Sequence, residues 1–140
     1  MRITRVDHIS IAVRDLDKAM TTFSRLFNLN AKDRRKVKVL GMENVFIPLG
    51  YTAIELLTPL DEPDCPDNVR RVLDRRGEGI MNLALSVDDL EEAISHLRGC
   101  GVRVIDGKDA DGDKIAFVHP KDVHGVLIEL RTGRRHIKNT

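Results

Sequence analysis

The chain has no charge excess, no long apolar run and almost no cysteine. Its 23 basic and 22 acidic side chains leave a formal net charge of +1, spread along the sequence. That balance exerts no strong pull toward nucleic acid or a membrane surface, so neither is expected as a partner. No apolar run reaches the roughly 18 residues a membrane-spanning helix needs. The opening Met1-Arg2-Ile3-Thr4-Arg5 carries no apolar signal region, and a cytoplasmic location is expected. Cys65 and Cys100 have no metal-ligand spacing and are too few for a disulfide framework. They read as free thiols. No low-complexity tract is present.

At 140 residues the chain can form one domain, or two fused half-domains sharing a core. Ile9 to Val13 alternates bulky and small residues and reads as a strand. Asp15 opens a helix whose apolar face is Leu16, Ala19, Met20, Phe23, Leu26 and Phe27, ended by Asn28 or Asn30. Residues 31–38 are polar and basic, a loop or exposed strand. Further strands cover 45–47 and 52–57. A linker rich in proline and acid follows over 61–78, with a short helix around Val69, Val72 and Leu73 closed by Gly77. The pattern then starts again. Leu83 to Val87 is a strand, Asp89-Leu90-Glu91-Glu92 resembles a capping box, and strands fall near 102–105, 114–118 and 125–131. Each half reads β-α-β-β-β. Module one spans about 5–60, module two about 79–131, and a basic tail covers 132–140.

The repeat places chemistry at matching points. His8 and Asn82 lie 74 residues apart, and so do Glu55 and Glu129. Asp-His-Ile-Ser-Ile-Ala-Val at 7–13 answers Met-Asn-Leu-Ala-Leu-Ser-Val at 81–87. Ala-Ile-Glu-Leu-Leu at 53–57 answers Leu-Ile-Glu-Leu-Arg at 127–131. In a strand, residues i and i+2 share a face. His8 therefore shares one with Ser10 and Ala12, and Asn82 with Ala84 and Ser86, while the bulky residues take the opposite faces. Small neighbours leave room for a cavity. An acid inside an apolar strand is costly to bury unpaired, so two at equivalent places suggest a shared polar site. Imidazole, carboxylate and amide oxygen suit a borderline or hard divalent cation such as Co²⁺, Mn²⁺, Ni²⁺, Zn²⁺ or Mg²⁺. On these residues alone a plainer arrangement stays open, with His8 bonded in the core and both glutamates facing solvent.

Several longer segments carry a resemblance. They are Asp-His-Ile-Ser-Ile-Ala-Val-Arg-Asp-Leu at 7–16, Ala-Ile-Glu-Leu-Leu-Thr-Pro-Leu at 53–60 and Arg-Arg-Gly-Glu-Gly-Ile at 75–80. Lys-Ile-Ala-Phe-Val-His-Pro-Lys at 114–121 and Gly-Val-Leu-Ile-Glu-Leu at 125–130 extend it. Together they resemble the vicinal oxygen chelate superfamily, and within it the methylmalonyl-CoA epimerases. The resemblance implies an α+β fold in which two βαβββ modules form a curled mixed sheet around a central cleft. It implies a divalent metal held by His8, Glu55, Asn82 and Glu129, although these epimerases usually have His-His where this chain has Met81-Asn82. It implies Glu43 and Glu129 as the proton-transfer groups, with Glu43 the main base. It implies an acyl-CoA substrate whose phosphates could meet Lys114 and Lys121, the Arg34-Arg35-Lys36-Lys38 cluster, or Arg134, Arg135 and Lys138. It also implies a homodimer. His119 and His124 are not expected to be ligands.

The implied reaction inverts the α-carbon of a malonyl-type thioester through an enolate whose charge a cation can neutralise. Two other readings of the same fold compete: a protein that binds a small molecule without chemistry, and a glyoxalase-like enzyme or isomerase with another substrate. Replacing Asn82 by His tests the implied ligand set. Titration calorimetry should show tighter divalent-metal binding by Asn82→His, and an unchanged affinity would place residue 82 outside the coordination sphere.

Overall fold

In the computed structural model, which describes residues 1–133, the alternating segment becomes β1 (Ile3–Ala12). The chain continues through α1 (Leu16–Phe27), β2 (Lys32–Val37), β3 (Met42–Leu49) and β4 (Thr52–Pro59). After the linker and α2 (Asn68–Arg76) come β5 (Gly79–Val87), α3 (Leu90–Gly99), β6 (Val104–Lys108), β7 (Lys114–Val118) and β8 (Leu127–Arg131). Arg134, Arg135 and Lys138 lie outside the described residues.

The helix starts follow from local chemistry. Asp15 accepts a hydrogen bond from the Lys18 amide, and Asp89 does the same for Glu92, so each satisfies an amide left free at its helix start. Asn28 ends α1 in the left-handed conformation, which asparagine tolerates better than most residues.

All eight strands form one sheet in the order β2-β3-β4-β1-β5-β8-β7-β6. Each module contributes four contiguous strands. They join through antiparallel pairing of β1 with β5, while β1–β4 and β5–β8 are parallel. The two first strands thus lie side by side at the centre of a curled sheet. Their parity decides what faces the interior of the curl.

Each module packs one helix on the outer face. Val13, Leu16, Val45, Ile47 and Leu56 form a core under α1, and Val87, Ala93, Ile94, Val118 and Leu130 form its counterpart under α3. The third helix, α2, breaks this symmetry. It lies on the concave side, with Val69 and Leu73 packed among Ala12, Val37, Met42 and Leu57. It therefore walls the cleft instead of covering the outside. Among the described residues no helix is long and apolar enough to cross a membrane.

Gly41, in the turn before β3, fixes how the linker sits against module one. Its φ is +64°, and a β-carbon there would overlap the Pro66 carbonyl oxygen. Both effects disfavour any side chain. Gly41→Ala should lower unfolding free energy by more than about 1 kcal/mol in urea denaturation.

Candidate active site

The concave face encloses a cavity of about 670 Å³. Its floor is polar and comes from the centre of the sheet: His8 on β1, Asn44 on β3, Glu55 on β4, Asn82 on β5 and Glu129 on β8. All five are buried. Leu57, Met42, Phe46, Met81 and Phe117 supply apolar walls, and Arg35, Arg71, Arg75, Arg76 and Lys108 stand around the opening. The structure therefore brings His8, Glu55, Asn82 and Glu129 into one cleft.

His8 is the pivot. Its Nδ1 lies 2.8 Å from Asp7 Oδ2, and Asp7 is held in turn by the Arg5 guanidinium at 2.7 Å and the Ser86 hydroxyl at 3.3 Å. With Nδ1–H donated to Asp7, Nε2 points its lone pair toward Glu55 Oε1 at 3.7 Å and Glu129 Oε2 at 3.8 Å. A lone pair facing two carboxylates is unfavourable until something positive stands there. Burial by itself would lower the His8 pKa. The Asp7 hydrogen bond and the charges of Glu55 and Glu129 outweigh it and hold the imidazole above its ordinary value.

The two glutamates differ. Glu55 accepts hydrogen bonds from the Ser10 hydroxyl at 2.6 Å and the Asn44 amide at 2.7 Å. Glu129 has a long contact from the Asn82 amide at 3.5 Å, and its Oε2 is buried with no hydrogen bond. Burial pushes the Glu129 carboxyl above its ordinary value, with His8 and Arg131 opposing and Glu55 assisting the shift. Asn82 gives its NH₂ to Ser10 and Glu129, and its Oδ1 is buried without a partner.

These residues fit a divalent cation. One imidazole nitrogen, two carboxylates and one amide oxygen are ordinary ligands for such an ion. Asp7 fixes the ring from behind, as an outer-shell acid does at metal sites. The unpartnered Asn82 Oδ1 and Glu129 Oε2 are acceptors that a cation would satisfy. Among the described residues no group of three His, Cys, Asp or Glu closes into a ready-made metal cage, so the donors surround His8 Nε2 without converging on a centre.

Other expected residues lie elsewhere. Glu43 is not in the cleft. On β3 it shares a face with Val45 and Ile47, which pack under α1, and it pairs with Arg34 at 3.2 Å on that outer side. The adjacent Asn44 faces the cleft in its stead. Lys114 pairs with Glu91 of α3 at 2.6 Å, and neither it nor Lys121 lines the cavity. Arg34 binds Asp17 as well as Glu43, and Lys36 and Lys38 pair with Glu62, so only Arg35 of that cluster reaches the cleft. His119 accepts the Lys121 amide, and neither it nor His124 lines the cavity.

Sequence reasoning missed Asp7, Asn44, Asp109 and Arg131. Adjacency to His8 was a signal for Asp7, and strand parity with Glu129 was one for Arg131. Asp109 and the cleft-side face of β3 had none, because both depend on how the sheet curls.

In metal-free protein, His8 and Glu129 both bind their proton more tightly folded than unfolded. The stability they add is full below the unfolded values, about 6.5 for histidine and 4.3 for glutamate. It is lost as pH rises through the higher folded values. The denaturation midpoint of metal-stripped protein should therefore fall as pH is raised above about 6.5, and His8→Gln should flatten that slope.

The chain and its fold resemble known proteins. The family model described as Glyoxalase/Bleomycin resistance protein/Dioxygenase superfamily matches residues 7–117. The mitochondrial methylmalonyl-CoA epimerase of Dictyostelium discoideum is 31% identical over 91% of this chain and 78% of its own length. The crystal structure of methylmalonyl-CoA epimerase from Mycobacterium tuberculosis is 32% identical, with a TM-score of 0.80 over 91% of this chain and 87% of that one. A Streptomyces coelicolor methylmalonyl-CoA epimerase variant, in complex with 2-nitronate-propionyl-CoA, superposes with a TM-score of 0.85 at 29% identity, covering 96% and 100% of the two chains. The chain belongs to the Glyoxalase/Bleomycin resistance protein/Dioxygenase superfamily and, within it, to the methylmalonyl-CoA epimerase branch.

Proposed function

We propose that this protein is an epimerase acting on methylmalonyl-CoA, or on a close 2-substituted malonyl-type acyl-CoA. The observation that carries the reading is one cavity with an acid–imidazole floor and a cationic mouth. Relatives named as methylmalonyl-CoA epimerases, and a structural neighbour holding an acyl-CoA analogue, support it.

The mouth suits the coenzyme. Among the described residues no ion-pair partner is recorded for Arg75, Arg76 or Lys108, and all three are exposed. They can meet phosphates without first giving up an acid. Met42, Phe46 and Leu57 then line the way inward for an acyl chain.

The floor suits removal of a proton from carbon. The α-proton of the substrate lies between a thioester and a carboxylate, and its loss gives an enolate. Glu129 is the base. Its Oε2 is free of hydrogen bonds, and in the metal-free protein burial raises its proton affinity above that of an ordinary carboxyl. Glu55 is fixed by two donors and serves as a held anion. His8, Glu55, Asn82 and Glu129 would hold a divalent cation. When bound, that cation supplies Lewis-acid stabilisation of the enolate charge. Asp7 keeps the His8 ring oriented, and the apolar walls exclude water. Return of the proton to the original face restores the starting epimer, and return to the opposite face of the planar carbon gives the other.

The reading is tested by α-proton exchange of methylmalonyl-CoA in D₂O, followed by NMR with Co²⁺ or Mn²⁺ supplied. Glu129→Gln should slow exchange by roughly 10²–10⁴-fold, the usual worth of a general base. Glu43→Gln should leave the rate within about threefold, as expected for a surface substitution away from the site. No exchange by folded wild-type protein with any metal would contradict the function, and collapse in Glu43→Gln would contradict the assignment of the base. Arg75→Glu/Arg76→Glu should raise KM about tenfold with kcat little changed, because uniform substrate binding is lost.

A further inference from the structure

Arg131 is the one arginine or lysine buried among the described residues. The repeat makes its presence pointed. The matching place after Glu55 in module one is Leu57, packed in an apolar cluster with Val37, Met42 and Val69. Module two therefore puts a cation where the fold accepts a leucine.

The guanidinium is under-used where it sits. It carries five N–H donors. Among the described residues it makes one hydrogen bond, from Nη2 to Asp109 Oδ2 at 2.7 Å. Nη1 lies 3.5 Å from Glu129 Oε2, an oxygen with no hydrogen bond, and Nε is buried without a partner. Spare donors on a buried cation are costly unless a partner arrives. Asp109 orients the arginine. Its Oδ1 accepts the backbone amides of Asp111 and Asp113 at 2.9 and 3.0 Å, which ties it to the β6–β7 turn and leaves Oδ2 for Arg131.

The missing partner is an anion. A carboxylate entering the metal-free floor would meet Glu55 and Glu129, both repulsive to it. Of the other cations lining the cavity, Arg71, Arg75, Arg76 and Lys108 stand exposed, where phosphates would engage them. Arg131 is the one arginine or lysine buried inside the cavity among the described residues, beside the floor where a bound cation would also attract an anion, and a planar guanidinium matches a carboxylate.

We propose that Arg131 is a specificity-determining residue that receives the carboxylate of the acyl group, so that the cleft selects malonyl-type thioesters over neutral acyl thioesters. The proposal rests on the acyl-CoA reading of the same cavity.

Titration calorimetry with two non-epimerisable ligands tests it: malonyl-CoA, and acetoacetyl-CoA, which has a methyl ketone in place of the carboxylate. Wild-type protein should bind malonyl-CoA more tightly. Arg131→Leu should weaken malonyl-CoA by roughly tenfold to a hundredfold, the worth of hydrogen bonds to a charged group. It should weaken acetoacetyl-CoA by less than about threefold. Arg131→Lys should recover part of the malonyl-CoA affinity. Asp109→Asn/Arg131→Leu removes the stranded buried acid, keeps an oxygen for the turn amides, and should show the same selectivity loss if the single variant fails to fold. Equal weakening of both ligands, or of neither, overturns the proposal. Equal wild-type affinity for the two also overturns it while leaving the acyl-CoA reading standing. Wild-type protein that binds neither overturns both.

Discussion

Two carboxylates buried beside one imidazole set the terms for the rest of this molecule. Taking such charges out of water costs several kcal/mol per ion unless partners replace the solvent. The surrounding residues show where those partners are supplied. Ser10 and Asn44 hold Glu55, Asp7 holds the far side of His8, and Arg5 and Ser86 hold Asp7. Compensation stops at the centre. Glu129 Oε2 and Asn82 Oδ1 are left without hydrogen bonds, and His8 Nε2 faces both acids. That local excess of acceptors raises the proton affinity of His8, and it is also what a divalent cation would relieve.

The fold produces this arrangement by duplication and modifies it by asymmetry. Pairing β1 against β5 brings equivalent strands together, so one polar position per module becomes a cluster. The modules then diverge. Glu55 is tied down by neutral donors, whereas Glu129 keeps a free oxygen beside Arg131. One acid is held by two donors, and the other has an oxygen without a hydrogen bond. The linker adds α2 to the concave side, which gives the cleft an apolar wall and adds Arg71, Arg75 and Arg76 to Arg35 and Lys108 in its lining.

Much of this was legible in the sequence, and the failures have identifiable causes. Alternation in β1 and β5 separated the helix-covered face from the cleft face, which located His8 and Asn82. The repeat located Glu55 and Glu129. Parity also placed Glu43 on one face with Val45 and Ile47, and that was right. That face packs under α1, so the residue offered as a base points away from the cleft. Alternation tells which residues travel together, and only the helix above a strand tells which side is inside. Charge was read less well. Lys114 and Lys121 gave no sign of which side of the sheet they would occupy, and the arginines of α2 reach the cleft through tertiary packing that a local pattern does not carry.

The floor of the cleft offers His8, Glu55, Asn82 and Glu129 as donors to a divalent cation. Calorimetric titration of metal-stripped protein with Co²⁺ tests it most directly, with Glu129→Gln measured alongside. Binding of one ion per chain that weakens in Glu129→Gln is the predicted result. A flat titration from folded wild-type protein, or binding indifferent to Glu129, would contradict the account.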